Sequence, residues 1–87
     1  MHYVYILQST VDKKLYVGYT PDLKRRIAAH NTGKAQATRL RKPLQLLYYE
    51  AYGDERDARK REKFFKSGWG RNYVKKQLRH TLMSTKI

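Results

Sequence analysis

Residues 2–20 read HYVYILQSTVDKKLYVGYT. The two ends, HYVYILQ at 2–8 and LYVGYT at 15–20, are dense in β-branched and aromatic side chains, while the middle, STVDKK, carries turn residues. This predicts two strands joined as a hairpin. Alternation puts Tyr3 and Tyr5 on one face of the first strand and Val4 and Ile6 on the other, and gives Tyr16 and Gly18 a shared face of the second. Gly18 inside a strand signals a bulge or a close approach of backbone.

Working outward, Thr20 is placed to cap a helix, Pro21 suits its first position and Asp22 favours its N-terminus. Leu23 and Ile27 lie i, i+4 on one face, and Gly33 is a natural stop. Residues 34–43 read as a basic loop ending at Pro43. LQLLYYEAY at 44–52 is a third strand. Asp54 caps a second helix, with Asp57 in the capping-box position, running to about Lys66 and ended by Gly68. A third helix starts near Asn72, with Val74, Leu78 and Leu82 spaced by four. The expected class is α+β: a three-stranded, mainly antiparallel sheet flanked by helices in the order ββαβαα.

Composition narrows the function. The chain has 87 residues, 20 Lys+Arg against 7 Asp+Glu and a net charge of +13. At this length one domain over residues 1–87 is expected. The aromatic fraction of 13% argues against disorder. With no cysteine, disulfide frameworks and Cys-based zinc sites are excluded. No apolar run reaches the ~20 residues that span a bilayer, and no signal-peptide pattern is visible, so a soluble, cytoplasmic, nucleoid-associated protein is expected and a membrane partner is not. No acid lies between Leu23 and Tyr49 or after Glu62, whereas Lys and Arg fill both stretches and eight Tyr, two Phe and Trp69 are interleaved. Basic residues with exposed aromatics suit a phosphate backbone with stackable bases. A solvated surface is the plainer alternative.

Three side chains stand out from the pattern. Arg26 and His30 share the helix face of Leu23 and Ile27, so they border the core. Arg26 is either paired with a carboxylate or fixed to clamp a phosphate, and His30 either complements the helix C-terminus or serves chemistry. Glu62 shares a face with Ala58 and Phe65, an acid on the apolar side of a basic helix. It either pairs with Arg61, Lys66 or Arg26, or holds a divalent metal completed by water and a substrate phosphate. The strand tyrosines, taken alone, read as packing residues.

Together these pieces resemble the GIY-YIG nuclease superfamily in a small stand-alone form, and look like the N-terminal nuclease module of the bacterial excision-repair incision protein. The first triplet corresponds to Tyr3-Val4-Tyr5, with Tyr3 in place of glycine, and the second to Tyr16-Val17-Gly18. Leu23, Arg26 and His30 match the family's helix, and Lys60-Arg61-Glu62 its acidic segment. The resemblance covers residues 2 to about 80. It implies a catalytic set of Tyr5, Tyr16, Arg26, His30 and Glu62. Glu62 would hold Mg²⁺ or Mn²⁺, and Tyr5 or Tyr16 would act as general base. Asn72 could match a further family asparagine, but at a shorter spacing than usual, and it reads first as a helix cap. Arg39, Arg41, Lys42, Lys63, Lys66 and Arg71 are the candidates for backbone contacts.

The implied function is a single-metal DNA endonuclease with repair as one setting. Single-stranded, branched and duplex DNA all remain open as substrates. The alternative is a non-catalytic or partner-targeted binding module of the same fold. The charge alone also suits an RNA-binding or ribosome-associated protein.

Overall fold

The computed structural model describes residues 1–84, and the eight elements follow the chain as β1 (His2–Ser9), β2 (Leu15–Thr20), α1 (Leu23–Asn31), a 3₁₀ helix (Gln36–Arg41), β3 (Leu44–Tyr52), α2 (Glu55–Lys66), α3 (Gly68–Gln77) and α4 (Arg79–Ser84). The three strands form one antiparallel sheet in the order β2-β1-β3. The expected hairpin is present, with Tyr5 opposite Gly18 on β2 and Tyr49 on β3. A register shift between Ile6 and Leu7 marks an irregularity against β3. Most charged residues of α2, Lys66 among them, are exposed, while Arg61 and Glu62 are half-buried, and among the described residues no helix is long and apolar enough to cross a membrane.

Alternation along β1 divides the interior. Val4 and Ile6 pack against Ala58 and Phe65 of α2 and against Val74 and Leu78. Tyr5 and Leu7 face the other way and pack with Leu44, with half-buried Tyr16, Leu23, Ile27 and Leu46 around them. Each large apolar side chain so buried is worth about 1.5–3 kcal/mol. Because β1 is the central strand, its odd and even side chains each meet a different helical layer. Tyr5 thereby becomes the floor beneath α1.

Several local expectations change. The α1 N-cap is Asp22, whose carboxylate accepts from Arg25 N, while Thr20 bonds Asp22 N and O in a turn just before it. Pro21 therefore lies in the turn, outside the helix. Residues 36–41, expected as loop, form the 3₁₀ helix; Ser9 Oγ donates to Arg41 O and Thr10 Oγ1 to Pro43 O, fastening it to the end of β1.

The largest correction concerns α3. It begins at Gly68, so Asn72 lies inside the helix and caps nothing. Ser67 serves both neighbours: its hydroxyl donates to Phe64 O and accepts from Gly70 N. Gly68, expected to end the second helix, begins the next one, and Gly70 lies within it. A Cβ on Gly70 would overlap the Phe64 carbonyl, so the two helices meet backbone to backbone at this point. The expected single final helix is also divided, with Leu78 between α3 and α4.

Candidate active site

The site is built around the Tyr5 hydroxyl. Tyr5 stands on the central strand and is 1% exposed. Its hydroxyl is 2.9 Å from His30 Nε2 and accepts from Arg26 Nε at 3.4 Å. Helix α1 delivers both partners because Arg26 and His30 are four residues apart on the face that packs on the sheet. Gly18 completes the arrangement from β2. A Cβ there would run into the Tyr5 hydroxyl and ring, so the ring occupies the space a side chain would take. The expected close approach at Gly18 is thus a side chain lying over backbone.

His30 is fully buried, and its second nitrogen, Nδ1, is 2.5 Å from Thr38 Oγ1 on the 3₁₀ helix. Both ring nitrogens are therefore used in either tautomer. Burial, aided by the Arg26 charge, pulls the imidazole below its ordinary pKa. A ring hydrogen-bonded through both nitrogens, with its pKa held down by burial, stands where the sequence left open a helix C-terminal role or a chemical one. Thr38 was invisible to sequence reasoning: it sits in the stretch read as loop and meets His30 only through the fold. Asn31 steadies the same helix end, donating from Nδ2 to Leu44 O and accepting from Leu44 N.

Tyr16, half-buried on the edge strand, places its ring 5.2 Å from the His30 ring in an edge-on contact. Burial raises the Tyr5 pKa, and the neighbouring Arg26 opposes that rise, while the charges of Tyr16 and Glu62 add to it. Tyr5 and Arg26 hold each other, the bond to Tyr5 raising the guanidinium pKa so that it stays cationic. Tyr5, Tyr16, Arg26 and His30 are thus joined by bonds and ring contacts, and Glu62 reaches them only through its charge on Tyr5.

Glu62 projects from α2 on the face of Ala58 and Phe65, its side chain 16% exposed. Its Oε2 accepts from Lys66 Nζ at 3.0 Å, and its Oε1 lies 3.5 Å from Arg59 Nη1. Of the three pairing partners weighed from sequence, only Lys66 engages it. Arg61 turns away to Glu50, with Nε–Oε1 2.9 Å and Nη2–Oε2 3.2 Å, and Glu50 also accepts from Tyr48 and Tyr52. Arg61 stacks over Phe65 at 4.5 Å as well, so it ties α2 to β3. Arg59 was missed, although its i−3 spacing from Glu62 was legible.

Among the remaining candidates, Arg39, Arg41, Lys42, Lys63, Lys66 and Arg71 are all exposed. Arg41 faces Asp12 at 3.7 Å. Asn72 is exposed within α3. Lys86, part of the acid-free C-terminal stretch, lies outside the described residues.

A divalent metal asks for hard oxygen donors. Among the described residues no group of three or more His, Cys, Asp or Glu could hold one. Glu62 offers a single half-buried carboxylate, which fits an ion such as Mg²⁺ that keeps several waters and takes its remaining ligands from a substrate phosphate.

Fold and site together describe a small α+β domain that sets a tyrosine, arginine and histidine cluster beside one glutamate. The GIY-YIG catalytic domain model matches residues 1–77, and the chain belongs to that family. A UPF0213 protein of Streptococcus pyogenes serotype M3 is 52% identical over 65 residues, covering 74% of this chain and 70% of that protein. Another from serotype M5, strain Manfredo, is 51% identical over 65 residues with the same coverage. The solution NMR structure of the UPF0213 protein BH0048 from Bacillus halodurans is 35% identical, with 98% of this chain and 84% of that one covered and a TM-score of 0.47.

Proposed function

We propose that this chain is a metal-dependent endonuclease that hydrolyses phosphodiester bonds in DNA. The observation that carries the proposal is the convergence of Arg26 and His30 on the buried Tyr5 hydroxyl, with Tyr16 against the same imidazole. Family membership and a net charge of +13 support it.

The tyrosines divide the work by environment. Burial and a raised pKa keep Tyr5 neutral, so it positions Arg26 and His30. Tyr16 is the less buried of the two and would take the proton of the attacking water. Arg26 would bind the phosphate and stabilise its added charge as water attacks phosphorus and the P–O3′ bond breaks. Glu62 would hold Mg²⁺ or Mn²⁺, which when bound supplies Lewis-acid polarisation of the phosphate and its leaving oxygen. His30, bonded to Thr38 through its other nitrogen, would hold the Tyr5 hydroxyl in place. Exposed Arg39, Arg41, Lys42, Lys63, Lys66 and Arg71 would bear on phosphates along the backbone.

The test is cleavage of labelled single-stranded, duplex and branched DNA, and of RNA, with Mg²⁺ or Mn²⁺ against EDTA, beside Glu62→Ala. We expect metal-dependent cuts in DNA that fall by about 10²-fold or more in the variant. Cleavage unchanged in Glu62→Ala refutes the mechanism. Salt-sensitive binding without cleavage of any substrate supports the binding module instead.

A further inference from the structure

Both oxygens of Glu62 face cations, and the two cations are held differently. Arg59 is fixed from its other side: its Nε lies 3.5 Å from Glu55 Oε2 and its guanidinium sits 3.8 Å above the Tyr19 ring. Lys66 has no such second anchor in the ion pairs of the described residues. Its Nζ, 3.0 Å from Glu62 Oε2, stands at the C-terminal end of α2 on a flexible four-carbon stem. Lys66 also lines a cavity of about 410 Å³ between β2 and the α2–α3 layer. Lys14, Arg71 and Lys75 share its rim, Val17 and Phe65 belong to its apolar lining, and no acid lines it. That lining favours an anion carried on an apolar body, as a nucleotide phosphate is.

A divalent ion approaching Glu62 in the free protein meets the positive charges of Arg59 and Lys66 at close range. An anion entering the cavity changes both terms, since it draws Lys66 away and adds oxygen ligands of its own. We propose that Lys66 is a charge latch: it pairs with Glu62 in the free protein and exchanges that partner for a substrate phosphate. Metal and nucleic acid then bind cooperatively, while Arg59 stays in place and orients the carboxylate. This rests on the reading of Glu62 as the metal ligand. By linkage, the factor by which nucleic acid tightens metal binding equals the factor by which metal tightens nucleic-acid binding. Lys66 is thus a positioning residue for metal loading.

The experiment is a Mn²⁺ titration followed by the electron paramagnetic resonance signal of the free ion. It uses the full chain with and without a phosphorothioate 12-nucleotide DNA, with Mn²⁺ bound by the oligonucleotide alone subtracted. Wild type, Lys66→Met, Lys66→Arg and Glu62→Gln are compared, with circular dichroism confirming that each is folded. In wild type the oligonucleotide should tighten Mn²⁺ binding by about 5–150-fold. Lys66→Met should bind Mn²⁺ alone about two- to fivefold more tightly, because a partly exposed pair is worth up to about 1 kcal/mol. Its gain from the oligonucleotide should shrink, and Lys66→Arg should restore it. If Glu62→Gln abolishes Mn²⁺ uptake but Lys66→Met matches wild type in affinity and coupling, the latch is overturned and the metal site stands. If Glu62→Gln binds Mn²⁺ as wild type does, the metal site itself falls and the latch with it.

Discussion

Gly18→Ala tests whether β2 is shaped around Tyr5. Gly18 does not have a positive φ, so alanine is acceptable to the backbone and only space is at issue. The added methyl would overlap the Tyr5 hydroxyl and Cζ and stand 2.9 Å from Cε1. Tyr5 has little freedom to yield, being 1% exposed with its hydroxyl bonded to His30 and Arg26. Overpacking a filled site costs about 1–3 kcal/mol. Replacing glycine returns about 0.4–1 kcal/mol by restricting the unfolded chain. The net loss is about 0–2.6 kcal/mol, or a fall in Tm of up to roughly 20 °C for a domain this size. In a Tyr5→Ala background the methyl has room, so the same substitution should be neutral or slightly stabilising. A double-mutant cycle by urea denaturation measures the difference, expected at about 1–3 kcal/mol. Equal effects of Gly18→Ala in both backgrounds, within about 0.5 kcal/mol, would refute the steric account.

Acid should weaken the fold in two stages. The folded pKa of His30 is depressed, so its contribution is complete above about pH 6.5 and is lost as pH falls through the folded value. Glu50 behaves likewise at lower pH: burial raises its carboxyl, but Arg61, Tyr48 and Tyr52 together outweigh this and leave it depressed, so its contribution is complete above about pH 4.5 and is lost below. Asp12 and Asp54, both held down chiefly by hydrogen bonds, share the lower window. Urea midpoints between pH 3.5 and 8 should show both stages, with His30→Gln flattening the upper and Glu50→Gln the lower; unchanged slopes in these variants would count against the assignments. At pH 7 Glu50→Gln should itself cost about 1.5–3 kcal/mol, since it strips charged bonds from Arg61. Tyr16→Phe should lower kcat by about 10²–10⁴-fold with little change in Tm, whereas Tyr5→Phe should cost about 1–3 kcal/mol of stability by unpairing His30 and Arg26. Cleavage rates beside melting curves separate the two, and full activity in Tyr16→Phe would remove it as the base.

The Glu50–Arg61 pair sets how α2 meets the sheet although neither residue joins the Tyr5 cluster. Arg61 precedes Glu62 in the chain, and its fork on Glu50 fixes the rotation of α2 against β3. Side-chain exposures of 16% for Glu50 and 27% for Arg61 place this pair where breaking one partner strands the other. With Arg61 turned to β3, Glu62 is left facing β2, where Arg59 lies over Tyr19.

Short-range chemistry was legible in the sequence. Alternation in HYVYILQ divides β1 into its two faces, and the spacing of Leu23, Arg26, Ile27 and His30 gathers one helix face. The Asp54 cap and the apolar neighbours of Glu62 were equally local. All of these depend on periods and caps within a few residues of chain. Partner choice was different. His30 reaches Tyr5 25 residues away and Thr38 across a segment with no regular local pattern. Glu62 takes Arg59 and Lys66 rather than Arg61 because Glu50, on a strand, claims Arg61 first. Gly68 read as a helix end, yet it begins a helix because Ser67 caps it and the space against Phe64 admits no Cβ at Gly70. A sequence states what each residue can offer. Which offer is taken up depends on groups distant in the chain competing for the same hydrogen bond, charge or volume, and that competition exists only in the folded molecule.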